Sequence, residues 1–552
     1  MKSRLDWLSF ANVFTIPLFF ILFYYWQNAN LVAFKDILRS LWIAILSTGL
    51  LFVILGLITR SWKKSSLLTA LFSLLFFNHE TISKIFYYFR IIITGDQVDT
   101  FAFLDVKKIC AFGIGAIFIL ALLALVKKKY EPASLTRFAN FFSIGLIGIL
   151  VGTSISFSIE KITSNSERNL TEFSKRWVDT LHNEPDLLHP QGELPDFYYI
   201  ILDGYGRNDV LAELYAYNNQ PFLDALTAEG FTVGEDSLSN YKQTDLSLAS
   251  LLNMEYINWI GDEIGKENRN YGPLYLIFDY NRTSEQLRRV GYHINVFSSG
   301  FKTLESETAD LTLRSKASLN TFEIMETGTT PISLFLDEEL YTIHRERIKY
   351  NLRNLAEAGN QDGPDFIFAH IPAPHPPFVF DSQGKSITPD RSFTTVDAAD
   401  FLADGSVEEY KTGYINQLAY INQEVIDAVK EILETSRIPP IIIIQSDHGP
   451  GSQFSHQILE NSNLSERYPI LFAYFLPCSH GSGIPDDITP VNSFRYIFNA
   501  CFRADLPYLE NRQYYSSNET PYLVTDVTEK VTANNKDGQN SHVILWHKTE
   551  KN

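Results

Sequence analysis

The 552-residue chain predicts an α/β fold: a mostly parallel sheet domain preceded by a bundle of about five membrane-spanning helices. Three observations carry this. The first 160 residues are dominated by apolar runs of roughly 17–25 residues, the length that crosses a bilayer. From Pro195 onward, short β-branched and aromatic runs alternate with amphipathic helical patterns, the signature of an open parallel sheet with helices on both faces. The charge is also divided: residues 1–160 hold 15 Lys+Arg against 8 Asp+Glu, the remainder 31 against 56. That acidic remainder excludes a nucleic-acid partner, whose phosphates it would repel.

The expected spans are residues 9–26, 39–58, 65–89, 109–126 and 138–159. More spans follow the first, so it reads as a true span and not a cleaved signal peptide. Lys2 and Arg4, then Arg60, Lys63 and Lys64, then Lys127–Lys129 and Arg137 fall on one side if there are five spans. Basic loops mark the cytoplasmic side, which puts the C-terminal domain outside. Lys35, Arg39, Lys107 and Lys108 run against the pattern. Asn78, His79 and Glu80 interrupt the third run. Either a helix ends there, the reading we adopt, or a polar site sits near the interface.

Residues 161–194 form an expected linker helix, with Leu170, Phe173, Trp177 and Leu181 on one face that suits a membrane surface. Residues 195–525 are the expected extracytoplasmic catalytic domain and 526–552 a tail. Its strands are Phe197–Leu202, His293–Phe297, Asp365–Ala369, Ile441–Gln445 and Pro469–Phe475, with helices over Pro221–Glu229 and Val407–Thr435. Of the three cysteines, Cys478 and Cys501 could pair if they are extracytoplasmic. Proximity is not readable from sequence, and the expectation is that all three are buried and inert.

In such sheets ligands bind beyond the carboxyl ends of the strands. Three strands run into chemistry there: Phe-Tyr-Tyr-Ile-Ile-Leu into Asp203-Gly-Tyr-Gly, Phe-Ile-Phe-Ala into His370-x4-His375-Pro-Pro, and four isoleucines into Gln-Ser-Asp447-His448-Gly. A single strand-end Asp is usually a turn residue, but three such ends crowd one rim. Asp203, Asp447 and His448 supply oxygen-rich ligation with one imidazole, which suits Zn²⁺ or Mn²⁺. A nucleophile is offered by Thr244 in Lys-Gln-Thr-Asp-Leu-Ser. It is placed to open a helix, whose positive end favours a phosphoryl group. As a residue alone, Thr244 reads first as an N-cap. Arg207, Arg345 and Arg495 have no motif around them and are expected in surface ion pairs; His370 is expected to be supporting or structural.

The order Asp-Gly-Tyr-Gly, Thr before a helix, His-x4-His-Pro and Ser-Asp-His-Gly resembles the alkaline-phosphatase-like superfamily. Within it, the chain is similar to the membrane-anchored sulfatase-like branch of lipoteichoic acid synthases and lipid A phosphoethanolamine transferases. The resemblance implies a sheet domain of alkaline-phosphatase/sulfatase type, five spans and an outward catalytic domain. It implies one divalent metal on Asp203, Thr244, Asp447 and His448, with Thr244 as nucleophile. His375 and His456 are implied to handle the substrate phosphate or a second metal. Three departures stand out: Asp203 where those transferases carry Glu, Pro450 where they tend to carry Glu, and no Cys/Ser-x-Pro-x-Arg motif. Sulfatases need that motif to make formylglycine, so sulfate-ester hydrolysis is disfavoured.

The resulting expectation is a transferase that moves a phospho-alcohol headgroup, phosphoethanolamine or phosphoglycerol, from a phospholipid donor to an envelope glycan or lipid acceptor in a bacterial-type cell membrane. Two alternatives remain: a phosphodiesterase or phosphatase using the same site, and an envelope protein with a vestigial site.

Overall fold

The structure is a computed structural model. It describes residues 10–28, 34–94, 100–127, 133–163, 165–301, 304–316, 319–359, 363–391, 393–397, 401–402, 405–478 and 484–536. The chain divides into two compact units, Met1–Arg168 with Ala317–Ile343, and Asn169–Lys316 with His344–Asn552. Residues 317–343, inside the expected catalytic segment, thus cluster with the N-terminal helices.

In the first unit, Phe34–Thr59, Asp105–Lys127 and Ser134–Ile155 are long and apolar enough to cross a membrane, and Asn12–Gln27 is a shorter apolar helix. Large apolar side chains face outward, Leu46, Leu57, Phe112 and Phe141 among them. A water-soluble bundle would hide these, and lipid accepts them. These are the helices of a membrane protein. One polar pair inside the unit is satisfied internally, as a bilayer favours: the Ser66 hydroxyl donates to Asn12 Oδ1 at 2.6 Å.

The expected third span, 65–89, is two helices, Trp62–Phe77 and His79–Thr94. Sixteen residues rise about 24 Å, short of a bilayer's hydrocarbon thickness. The break has a local cause. Asn78 bonds back to the Leu74 carbonyl at 2.8 Å, and buried His79 meets the Lys107 carbonyl at 2.9 Å. The chain does end a helix there, but it starts another at once.

The second unit is built on a sheet of β1 (Phe197–Leu202), β2 (Thr232–Val233), β3 (His293–Phe297), β4 (Leu311–Leu313), β5 (Asp365–Ile371), β6 (Ile441–Gln445) and β7 (Phe472–Phe475). The order is β2-β7-β6-β1-β5-β3-β4. β4, β3, β5, β1 and β6 are parallel, while at one edge β7 pairs antiparallel with both β6 and β2. β1, β5 and β6 are buried along their whole length, so they read as continuous apolar runs and not as alternation. Phe197, Tyr199, Phe366 and Phe494 interlock on one face. The helix Val407–Thr435 opens with a Ser406/Glu409 capping box.

Two expectations are corrected here. The helix Asn165–Asn183 does not offer its apolar face to a membrane. Phe173, Trp177 and Leu181 are buried, stacked on Trp259, and Trp177 donates to the Tyr280 carbonyl at 2.7 Å. Arg289 caps the end of the helix through the Leu181 carbonyl at 2.7 Å. Its spacing makes an apolar stripe, and the catalytic unit supplies a closer apolar surface than lipid. Cys478 and Cys501 form a disulfide with Cα atoms 5.2 Å apart, because the Pro490–Phe502 helix returns its last turn to the chain leaving β7. Packing also continues beyond 525: Val527 and Val531 are buried with Phe454 and Tyr468.

Candidate active site

Parallel pairing decides which strand ends meet. β1 lies between β5 and β6, with Ile201 level with His370 on one side and Gln445 on the other. Asp203 is one residue past β1 and Asp447 two past β6, so both carboxylates arrive at the same rim. The turn after β6 is held by its own polar groups. Ser446 Oγ donates to the His448 carbonyl at 2.7 Å and accepts from Tyr205 N–H at 2.8 Å. Asp447 Oδ1 accepts from Gly204 N–H at 3.2 Å and from His448 N–H at 3.0 Å, which aims Oδ2 into the site.

His448 Nε2 lies 3.3 Å from Asp447 Oδ2, 3.6 Å from Asp203 Oδ1 and 3.2 Å from Thr244 Oγ1. Its Nδ1 bonds to the Gly449 carbonyl at 2.9 Å. That carbonyl takes the proton on Nδ1 and leaves the Nε2 lone pair facing the carboxylates. Thr244 is the first residue of the helix Thr244–Asn253, and Gln243 occupies the cap position. The Thr244 hydroxyl therefore faces His448, not the backbone of its own helix. Ser247, one turn on, donates to the Asp447 carbonyl at 2.8 Å and fixes the helix to the turn.

His370 stands closer to the centre than its expected supporting place. Its Nε2 is 3.5 Å from Asp203 Oδ2, and Asp203, His370 and Asp447 each offer a ligand atom within 4.8 Å of the others. The sequence signal was present in His-x4-His, but only the β1–β5 register, which pairs His370 with Ile201, shows that the first histidine is the one brought beside Asp203. His375 hydrogen-bonds through Nδ1 to the Pro376 carbonyl at 2.6 Å, and its ring lies 6.4 Å from that of His448.

Both Asp203 oxygens, Asp447 Oδ2 and both His370 nitrogens are buried without a hydrogen-bond partner among the described residues. Unpaired buried polar atoms are costly, and this donor set of two carboxylates, imidazole and hydroxyl fits a divalent cation. Asp203, Asp447 and His448, with Thr244 or His370, are the residues that would hold it. Burial, then the charges of Asp447 and Asp397, pushes the Asp203 carboxyl well above the usual range. Burial, then Arg467, pushes His448 well below its own.

His456 is brought to the same rim by residues that carry no motif. Lys242 Nζ lies 3.4 Å from its Nδ1 and bonds to Asn518 Oδ1 at 2.5 Å. Asp397 Oδ2 is 4.0 Å from its Nε2. Arg467, fully buried, donates to Asp397 Oδ2 at 2.5 Å, to the Lys242 carbonyl at 2.8 Å and to the Gly449 carbonyl at 3.1 Å. Burial works against the Asp397 charge, but the Arg467 guanidinium holds it below the usual carboxylate range. Burial lowers His456 to about 3, so it is neutral at pH 7, accepting from Lys242 at Nδ1 and carrying its proton on Nε2. Sequence reading missed Asp397 and Arg467. Asp397 sits on a long connection with nothing local to mark it.

Of the three arginines, Arg207 is ion-paired with Asp209 at 2.7 Å. Arg345 and Arg495 instead donate to carbonyls, of Ile387 at 2.7 Å and of Met254 at 2.8 Å.

Solved structures similar to this chain include three in particular. The C-terminal periplasmic domain of EptC from Escherichia coli, in complex with Zn, is 14% identical with a TM-score of 0.39, over 64% of this chain and 99% of that one. The integral membrane lipooligosaccharide phosphoethanolamine transferase A from Neisseria meningitidis is 14% identical with a TM-score of 0.36, over 90% and 95%. BT1596, a 2-O GAG sulfatase, is 13% identical with a TM-score of 0.36, over 59% and 78%. No curated protein sequence matches the chain. A family profile described as Sulfatase matches residues 195–470, half of the chain, from the start of β1 to the approach to β7. With Asp203, Thr244, Asp447 and His448 all inside that match, the chain belongs to the sulfatase family, as a sulfatase-like membrane enzyme.

Proposed function

We propose that the enzyme transfers a phospho-alcohol headgroup, of phosphoethanolamine or phosphoglycerol type, from a membrane phospholipid to an envelope glycan or lipid through a phosphothreonine at Thr244. The observation that carries this is Thr244 Oγ1 at the N-terminus of a helix, 3.2 Å from His448 Nε2, beside buried carboxylates that lack partners. That is the environment a phosphoryl group needs: amide dipoles on one side and cation ligands on the other. A divalent ion held there, Zn²⁺ or Mn²⁺, supplies Lewis acidity and lowers the pKa of the hydroxyl.

In the first half-reaction Thr244 Oγ1 gives up its proton and bonds to the donor phosphorus. The bond from phosphorus to the glycerol oxygen breaks, and diacylglycerol leaves with a proton. In the second, an acceptor hydroxyl loses its proton and bonds to phosphorus, the bond to Oγ1 breaks, and Thr244 regains its hydrogen. His456 Nε2–H is a donor for a phosphoryl oxygen, and the free lone pair of His375 accepts a proton. The helices of the first unit anchor the catalytic unit, which begins near Pro195, to the membrane that holds the donor, on its extracytoplasmic side.

The test is mass spectrometry of the purified protein after incubation with phospholipid. A mass increment on Thr244 equal to one phospho-alcohol is expected, absent in Thr244→Ala. Were Thr244 a helix-capping residue only, Thr244→Ala would cost about 0.5–2 kcal/mol of stability and still release diacylglycerol, which would end this reading. An increment lost to water as fast with acceptor as without it would make the enzyme a hydrolase.

A further inference from the structure

One cationic cluster beside the catalytic rim is unused by the chemistry above. β3 leaves the sheet next to β5 and turns through Ser298–Phe301. Phe301 sets its ring edge-on to His370 at 5.7 Å and to His375 at 6.3 Å. Gly300, with φ +81°, lies so close to Arg347 that an added Cβ would stand 2.2 Å from Nη1. The guanidinium is thus laid across the loop that carries Phe301. Among the described residues Arg347 makes no hydrogen bond or ion pair. The acid whose charge acts on it, Glu305, bonds elsewhere: to the Ser298 hydroxyl at 2.5 Å and Gly300 N–H at 3.4 Å, with Arg314 at 3.8 Å.

One turn before Arg347, on the helix Ser333–Arg353, His344 is 1% exposed and neither ring nitrogen has a partner. The guanidinium charges of Arg347 and Arg345 act on it. Burial lowers its pKa well below the ordinary value, and Arg347 is lowered by burial as well. A buried imidazole with two idle nitrogens and a guanidinium with five idle donors do not stabilise one another. An oxyanion between them satisfies both, since bidentate guanidinium–oxyanion bonds are among the stronger polar contacts.

We propose that Arg347 and His344 form a second anion subsite, next to the phosphoryl site, that holds a phosphate of the substrate. The inference deepens the transfer reading and rests on it for the word substrate. The subsite excludes an ammonium group, so the headgroup in transit points elsewhere. The phosphate comes either from the acceptor or from a donor lipid with a second phosphate.

The first experiment titrates inorganic phosphate into the full-length protein in detergent after chelation of divalent metal, followed by calorimetry. With the cation gone, the anionic Asp397 at the rim repels phosphate from the centre, and the second subsite remains. Saturable binding is expected. It is weakened at least about tenfold in Arg347→Gln, the size of one lost charge-assisted bond, less in His344→Phe, and partly restored in Arg347→Lys. Absence of phosphate binding in the wild type, or equal affinity in Arg347→Gln and His344→Phe, overturns the subsite. If Arg347→Gln melts early, His344→Phe and Arg347→Lys carry the comparison.

The second experiment finds the source. Slower Thr244 adduct formation from phospholipid in Arg347→Gln assigns the phosphate to the donor. Normal adduct formation with a raised KM for acceptor assigns it to the acceptor, and no change in either removes the subsite from the reaction. Phosphate binding that depends on Arg347, in a wild type that never forms the adduct, refutes the transfer reading and leaves the subsite standing.

Discussion

At the residue scale, the site works by withholding partners. Asp447 spends one oxygen on two backbone amides and keeps the other for the centre, and His448 spends Nδ1 on a carbonyl and keeps Nε2. A divalent ion bound at about 100 times its dissociation constant should stabilise the catalytic unit by about 2.7 kcal/mol. His448→Ala should lose both that gain, read by thermal melts with and without Zn²⁺, and the metal itself, read by elemental analysis. Undiminished metal content in the Ala variant would return Asp447-His448 to the role of a turn. Far from the rim, Asp196 gives a separate pH signal. Burial raises its carboxyl to about 6, opposed by a bond from Asp365 N–H. Between the ordinary value near 4 and about 6, the folded state binds more protons than the unfolded, so stability falls as pH rises through that window. Asp196→Asn should remove this fall, measured as the difference between the two melting curves from pH 4 to 7. Equal slopes would mean the carboxyl is not perturbed.

At the element scale, the helix Asn165–Asn183 shows how periodicity finds a stripe without its partner. Phe173, Trp177 and Leu181 are spaced for one apolar face, a property equally suited to lipid or to protein. Burial of Trp177 against Trp259 and its bond to Tyr280 predict that Trp177→Ala costs about 3–5 kcal/mol, the range for deleting a buried aromatic. Denaturant unfolding of the catalytic unit checks it. A helix on the membrane surface would leave that stability unchanged and lose lipid binding. The Thr244–Asn253 helix makes the complementary point. Its first residue, not its cap, carries the hydroxyl, because Gln243 stays extended and Ser247 bonds to the Asp447 carbonyl.

At the scale of the whole molecule, the basic loops and the Cys478–Cys501 disulfide agree. Disulfides persist in oxidising compartments, and the positive-inside pattern predicts that residues beyond about 160 lie on the extracytoplasmic side. A reporter joined at Asp196 that is active only outside the cytoplasm should be active. A reporter that works only in the cytoplasm should be silent at the same junction, and the reverse pair would invert the topology. The break at Asn78 shifts no basic cluster by itself, so the reporter tests the orientation and not the number of helices.

The sequence by itself determined the apolar helices, apart from the break at Asn78, the parallel sheet, and Asp203, Thr244, Asp447 and His448 as site candidates. Each is written locally: apolar runs of bilayer length, and strand ends where Asp and His follow a buried run. His456 was legible only through the resemblance. Tertiary structure alone decided what depends on residues far apart in the chain. Register with β1 turned His370 from a supporting residue into a neighbour of Asp203. A buried ion pair across 70 residues brought Asp397 and Arg467 to His456. The fold closed a disulfide between cysteines expected to be free. Propensity and periodicity act over one or two turns, whereas pairing register and burial act between strands and loops that the chain order does not place together.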